Sequence, residues 1–177
     1  MEIDLRATSY PSLLQAVGLA IINCDGMEQA IPSVFRAALG VSLDFQKAVF
    51  ETTRGLEVHL KLVGAAVQEG APDFLERWEA LAGEVRSSAG QRGKVAHAGL
   101  SIRGPGIVVE LDEDGTPTGV ARRAGPSTAS LSKYTKQGRE EIPEADIREL
   151  AERVSRIERE IRNLASDIIV NRPALLA

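Results

Sequence analysis

Sulfur, aromatic and imidazole side chains are all scarce in this chain of 177 residues, which has one cysteine, one tryptophan, two tyrosines, four phenylalanines and two histidines. A lone Cys24 excludes an internal disulfide and a thiolate cluster for zinc. Two histidines and scattered carboxylates form no metal-ligand spacing, so neither a metal nor a cofactor is expected. The dearth of aromatics, set against abundant Leu, Ala, Val and Ile, disfavours a β-sandwich and favours interdigitating helices. No apolar run approaches the roughly 18 residues that span a bilayer, so no membrane partner is expected. The opening MEIDLRATSY lacks the basic region of a signal peptide, and a cytoplasmic location is expected.

What is present is an ordinary globular balance, 44% hydrophobic and 26% charged with a net charge of −4. Helical periodicity organises it. Leu14, Val17, Ile21, Cys24, Glu28, Ile31, Phe35 and Ala38 recur in three- and four-residue steps, predicting one kinked helix from Pro11 to Leu39, stopped by Gly40. Phe45, Val49, Leu56, Leu60, Val63 and Val67 predict a second helix, capped by Ser42 or Asp44 and closed at Gly70. A third begins near Pro72-Asp73 and carries Phe74, Trp78, Leu81, Val85, Ser88, Arg92 and Val95 along its seam. The fourth starts at Pro143 and shows the most regular seam, Ile147, Leu150, Val154, Ile157, Ile161, Leu164 and Ile168. Its outer face pairs Glu144 with Arg148, Glu149 with Arg153, Glu152 with Arg156 and Glu158 with Arg162, each acid four residues before its base.

Beyond Gly99 the period changes to two. Leu100 to Ile102 and Ile107 to Leu111 face Thr118 to Arg122 across the turn at Asp112 to Gly115, which predicts a β-hairpin. Ala124 to Gln137, rich in Ser, Thr, Gly and Pro, reads as an irregular loop. The resulting fold class is mainly α: a four-helix bundle with a β-hairpin inserted between helices 3 and 4. Residues 1–10 form an N-terminal tail and 11–177 a single domain, with the hairpin and loop insertion at about 100–140.

Two polar residues interrupt apolar seams, Glu28 on the first helix and Arg92 on the third. A bundle brings seams face to face, and a buried charge is tolerable only when paired, so Glu28 is expected to meet Arg92. That pair either fixes helix register or orients the guanidinium at an anion site. Arg92 also opens the segment Arg92-Gly93-Lys94-Val95-Ala96-His97, which joins a permanently charged fork for phosphate to a group that titrates near neutral pH. On a straight helix the two would stand about 140° apart, so only unwinding near Gly93 or Gly99, or a two-fold axis, brings them together. Were they to converge, His97 would move the 2′-hydroxyl or leaving-group proton while Arg92 neutralised the developing phosphorane.

Three amphipathic helices, an arginine on the third seam, a histidine five residues later before a small residue and glycine, and a closing helix resemble the HEPN superfamily. Its motif is an arginine, four to six residues, then a histidine, which Arg92 and His97 satisfy with four. The resemblance covers the helical parts and implies a HEPN-like helical bundle, a homodimer with the two motifs facing each other, and in active members metal-independent RNA cleavage. It thus implies Arg92 and His97 as catalytic residues, in an endoribonuclease of toxin or defence type answering to a cognate regulatory protein, and the seam pairing above would put Glu28 in support of Arg92. Gly93 stands where active members usually carry a polar residue.

Charge is unevenly spread along the chain. Arg86 to Arg103 holds Arg86, Arg92, Lys94 and Arg103 without an acid, and Gly115 to Arg139 holds Arg122, Arg123, Lys133, Lys136 and Arg139 without one. If the insertion folds over the helix end, Arg86, Lys94, Arg103, Arg122 and Arg123 would make a phosphate-binding rim for RNA or a nucleotide. The alternative is a non-catalytic dimeric helical bundle acting as a protein-interaction or regulatory module, in which Arg92, Glu28 and His97 only lock the fold. His59 and Trp78 read as packing residues.

Overall fold

Alternating three- and four-residue steps of apolar side chains produce helices here because each step returns a side chain to the same face. In the computed structural model, which describes residues 10–103, 106–111, 117–123, 128–135 and 138–171, these faces form α1 (Tyr10–Leu39), α2 (Leu43–Thr52), α3 (Leu56–Gly70), α4 (Leu75–Ala96) and α5 (Glu144–Asn171). Between α4 and α5 come β1 (Gly99–Arg103), β2 (Gly106–Leu111), β3 (Pro117–Arg123), β4 (Thr128–Thr135) and β5 (Gly138–Ile142). The protein is mainly helical. No helix among the described residues is long and apolar enough to cross a membrane.

α5 follows its predicted seam: Ile147, Leu150, Val154, Ile157, Ile161, Leu164 and Ile168 are all buried. α1 packs along it in parallel. Near the two helix starts Ser12 donates to Glu144 at 2.6 Å, further along the Asn23 amide donates to the Ala151 carbonyl at 2.9 Å, and Gly26 lies beside Glu158. The face α1 presents keeps Cys24, Ile31, Phe35 and Ala38 of the predicted seam but is rotated away from Leu14, Val17, Ile21 and Glu28. Its buried stripe is Leu13, Ala16, Ala20, Cys24, Met27, Ile31, Val34 and Ala38, turned roughly 60° from the expected seam at 100° per residue. Small Ala16, Ala20 and Ala38 alternate in it with the larger Leu13, Met27, Ile31 and Val34, whereas Leu14 and Ile22 stay 45% and 68% exposed. Helix α1 continues through Gly26 and Pro32, although proline lacks the N–H that would bond the Glu28 carbonyl.

The predicted second helix is two. Thr52 and Thr53 hydroxyls donate back to carbonyls of the preceding turn, competing with the helical ladder, and Gly55 adopts φ 95°, open to glycine at little cost. His59 closes the break, its Nε2 lying 3.2 Å from the Thr53 carbonyl and its ring against Phe50. Helix α4 runs antiparallel to α5, with Arg77 on Asp167 at 2.6 Å, Arg156 on Glu84, and Arg153 on Gln91 at 3.3 Å. Trp78 anchors α4, buried and beside Gly64 of α3. Of the predicted pairs on α5, Glu152–Arg156 is replaced, because Arg156 binds Glu84 and Glu160 instead.

The insertion holds more strand than predicted. Ile107–Leu111 pairs antiparallel with the 117–123 strand as β2 on β3, Ile107 opposite Arg122 and with a register shift at Glu110/Leu111, but Leu100–Ile102, expected to face Thr118–Arg122 too, pairs as β1 with β4 instead, Leu100 opposite Leu131; the turn expected at Asp112–Gly115 lies outside the described residues. The expected irregular loop from 124 to 137 instead contains β4, which pairs with both β1 and β5. Thr, Ser, Leu and Tyr there satisfy their backbone groups in a ladder, and Leu131 is buried in the helical core.

Gly70 is the tightest point. A Cβ there would lie 1.9 Å from the Ala38 carbonyl oxygen, where the ends of α1 and α3 touch. Replacing Gly70 with Ala is therefore expected to cost about 3 kcal/mol through overpacking. Gly83→Ala on the open face of α4, where nothing lies within 4 Å, is expected to stabilise by about 0.5–1 kcal/mol. Urea denaturation of both variants reads the opposite signs.

Candidate functional site

Trp78, Leu81, Val85 and Ser88 are buried along α4, and Arg92 follows one turn later on the same side. With Val95 buried again beyond it, Arg92 directs its guanidinium to Asp25 of α1, not to Glu28: Arg92 Nη2 donates to Asp25 Oδ1 at 3.0 Å. Glu28 is half-buried and makes no ion pair among the described residues. The expected Glu28–Arg92 contact is corrected by the rotation of α1, which carries Asp25 outward to where both partners keep water, 37% and 52% exposed. Pairing there spares most of the desolvation that a fully buried pair would suffer.

The inner part of the site is less satisfied. Arg92 Nε and the Ser88 hydroxyl are buried without a hydrogen-bond partner among the described residues. Next to them Cys24 is fully buried. Burial pushes its thiol up to about 11, against the pull of the nearby Arg92 cation and with the push of Glu28 and Asp25. Cys24 is thus an unreactive packing residue, and the group of Cys24, Asp25 and Ser88 around Arg92 was not anticipated from sequence. Asp25 lies one turn before Glu28, so spacing alone left two acids eligible.

The predicted catalytic pair is not brought together within one chain. Helix α4 continues unbroken through Gly93 to Ala96, which keeps Arg92 and His97 about 140° apart around the axis. His97 takes the C-cap position, its backbone N–H donating to the Gly93 carbonyl at 3.1 Å. Its side chain is exposed and has no hydrogen bond among the described residues, so the imidazole itself caps nothing. Gly93 has open space where a Cβ would be, and neither unwinds α4 nor admits a neighbour.

Of the predicted phosphate-binding residues, Arg86 is held on Glu57 of α3, its Nε at 3.0 and 3.1 Å from the two carboxylate oxygens. Lys94 is exposed and lines a groove of about 310 Å³ between the end of α4, β5 and the start of α5. Four carboxylates, Glu140, Glu141, Asp146 and Glu149, share that groove with Lys94 and Arg153, and Arg153 is itself bonded to Glu149 at 3.0 Å. Its acidic lining repels a polyanion. Arg103 lies on β1, in the three-stranded sheet, whereas Arg122 and Arg123 lie on β3, in the two-stranded one; their side chains are outside what the structure describes. Among the described residues no three of His, Cys, Asp and Glu are grouped to hold a metal ion.

No protein-family model, curated protein or solved structure matches this chain. Functional inference therefore rests on its own residues.

A thiol whose folded pKa is raised stabilises the fold below its ordinary value near 9 and loses that contribution as pH climbs towards about 11. Cys24 in the native protein is expected to resist a thiol reagent at pH 8 that labels it promptly in urea. Over the same window, from about pH 9 to 11, denaturation midpoints are expected to fall more steeply for the native sequence than for Cys24→Ala. Equal slopes would show that the thiol does not titrate in this range.

Proposed function

We propose that this chain is a HEPN-like helical bundle that acts without catalysis, as a protein-interaction module whose first partner is a second copy of itself. In this reading α1, α3, α4 and α5 constitute the bundle and α2 is a short addition between its first two members. The observation that carries it is the engagement of Arg92 by Asp25 on an unbroken α4, which leaves the arginine's charge answered and His97 turned elsewhere. The acidic groove beside Lys94 and the capture of Arg86 by Glu57 support it too, because both reduce the positive field that an RNA would need. Gly93 adds no polar side chain to the motif.

One observation favours a second reading, a metal-independent endoribonuclease assembled across two copies. His97 is exposed at the end of α4, and the Arg92 side chain keeps 37% of its surface, so each is accessible to a second chain. In that arrangement His97 would transfer the proton and Arg92 of the other copy would stabilise the phosphorane. RNA or a nucleotide would be the ligand, and a cognate regulatory protein the natural restraint.

Incubation of the purified protein with end-labelled RNA in EDTA separates the two readings. The interaction module is expected to leave the RNA intact and unbound at physiological salt. Cleavage that survives EDTA, falls by about a hundredfold or more in His97→Ala, and returns when Arg92→Ala and His97→Ala chains are mixed would instead establish the shared nuclease site. Arg92→Met is expected to change stability by less than about 1 kcal/mol, since the ion pair it removes is largely solvated. A loss several times larger would show that the guanidinium is held far more tightly than its exposure implies.

A further inference from the structure

We infer that α2 is a detachable strap, which lifts from α1 and α3 as one unit, hinged at Gly40 and Gly55, while the rest of the helical bundle stays closed. Its opening and closing govern the exposure of the apolar surface around Phe35. The device involves neither Arg92 nor His97 and holds whether or not the chain associates. Alone among the five helices, α2 buries none of its residues. Val49 and Phe50 are half-buried against the core, whereas Leu43 and Phe45 stay 46% and 53% exposed. With 10 residues α2 is also shorter than the roughly 12–15 that a helix needs to stand alone in water, so release from the bundle melts it.

Few attachments hold the strap down. The Phe50 ring stands edge-on to Phe35 of α1, centroids 5.4 Å apart, and lies tilted against His59 of α3 at 4.9 Å. The polar attachment is His59 Nε2, 3.2 Å from the Thr53 carbonyl just past the helix end. The other side-chain hydrogen bonds described for this segment stay inside it: the Phe45 N–H donates to the Ser42 hydroxyl, and the Thr52 and Thr53 hydroxyls donate to carbonyls of Ala48 and Val49. Asp44, Lys47 and Glu51 make no ion pair among the described residues. An element held by so few apolar contacts opens before the core does.

Both connectors are built to turn. Gly40 holds φ 66° at the end of α1 and Gly55 holds φ 95° before α3, each in the left-handed region that favours glycine, while Ser42 and Thr53 border α2 with extended backbone. Nothing lies within 4 Å of where a Cβ on Gly55 would be, so this glycine answers to the backbone and not to packing. Rotation at the two glycines frees the strap without disturbing its neighbours, because α1 keeps Ile31 and Val34 in the core and α3 keeps Leu60, Val63 and Val67. What changes is Phe35, now 6% exposed, which loses its covering ring when Phe50 leaves.

Native-state hydrogen exchange of the full chain tests this. The amides from Gln46 to Thr53 are expected to share one protection factor, at least about a hundredfold below that of α5 between Leu150 and Leu164. Ser42→Ala, at an exposed position clear of the bundle, removes the cap of α2 and is expected to speed its exchange about fivefold with α5 unchanged. Phe50→Ala is expected to speed it about tenfold or more, again in α2 alone. Protection of α2 equal to that of α5 would overturn the inference. So would a Ser42→Ala effect of the same size in both helices, since either result means that α2 opens only with the whole fold. Protection graded from one end of α2 to the other, the mark of fraying and not of release as a unit, would overturn it too.

Discussion

The packing of alanine-rich α1 along the isoleucines and leucines of α5 is the constraint on which the remaining structure depends. The two parallel helices bury the Ile and Leu of α5 together with a mixed stripe of α1 in which alanines alternate with Leu13, Met27, Ile31 and Val34, and every buried branched side chain of α5 contributes about 1.5–3 kcal/mol through the area it removes from water. This contact fixes the rotation of α1. Once the alanine stripe is inward, Asp25 must lie on the α4 flank, Glu28 must sit half-buried, and Leu14 and Ile22 must face out. Helix α4 then closes antiparallel to α5, and the strands are left to span the distance from the end of α4 back to the start of α5.

Electrostatics follow the packing rather than lead it. Arg92 lies between the buried Ser88 and Val95 of α4, and its guanidinium reaches the acid that keeps the pair in water. The surface arginines of α5 behave alike. Arg148 and Arg162 take the acid one turn earlier, while Arg156 turns to Glu84 on α4 and Glu160 one turn later, which hold its guanidinium above its usual affinity for the proton. Glu144, near the start of α5, is the counterpart on the acid side: hydrogen bonds from Ser12 and Arg148 hold its carboxyl below the ordinary range and tie the first turns of α1 and α5 together. Cross-helix pairs of this kind orient helices already held by apolar burial, since exposed ion pairs contribute little by themselves.

For function, the consequence is that a motif recognised by spacing has been given a geometry. Arg92 and His97 sit on one regular helix and diverge, and the arginine is occupied by an acid from α1. Within one chain the two side chains therefore act apart: Arg92 is held at Asp25, while His97 stands exposed at the end of α4. The site was legible in its arginine, whose place on an apolar seam reveals that it must find a partner. The choice of partner was not legible, because Asp25 and Glu28 share a flank and the phase of α1 decides between them.

By itself the sequence determined the elements whose local signals agree: α5, with its uninterrupted heptad and opening proline; α4, from Trp78 to Val95; the strand character of Ile107–Leu111 and Thr118–Arg122; and the mainly helical class. Those patterns are read by neighbours three, four or two residues away, so nothing distant is needed to interpret them. Tertiary structure decided what depends on competition between remote surfaces. Helix α1 has two overlapping apolar stripes, and only its packing against the other helices selects the one that runs through Leu13, Ala20, Met27 and Val34. The break between α2 and α3 needs the packing of His59 on Phe50 and Thr53, and β4 needs β1 and β5 as partners before a polar stretch becomes a strand. The physical reason is common to all three: side-chain volume and backbone hydrogen bonding are satisfied across space, and the chain's local pattern carries no record of which distant surface will satisfy them.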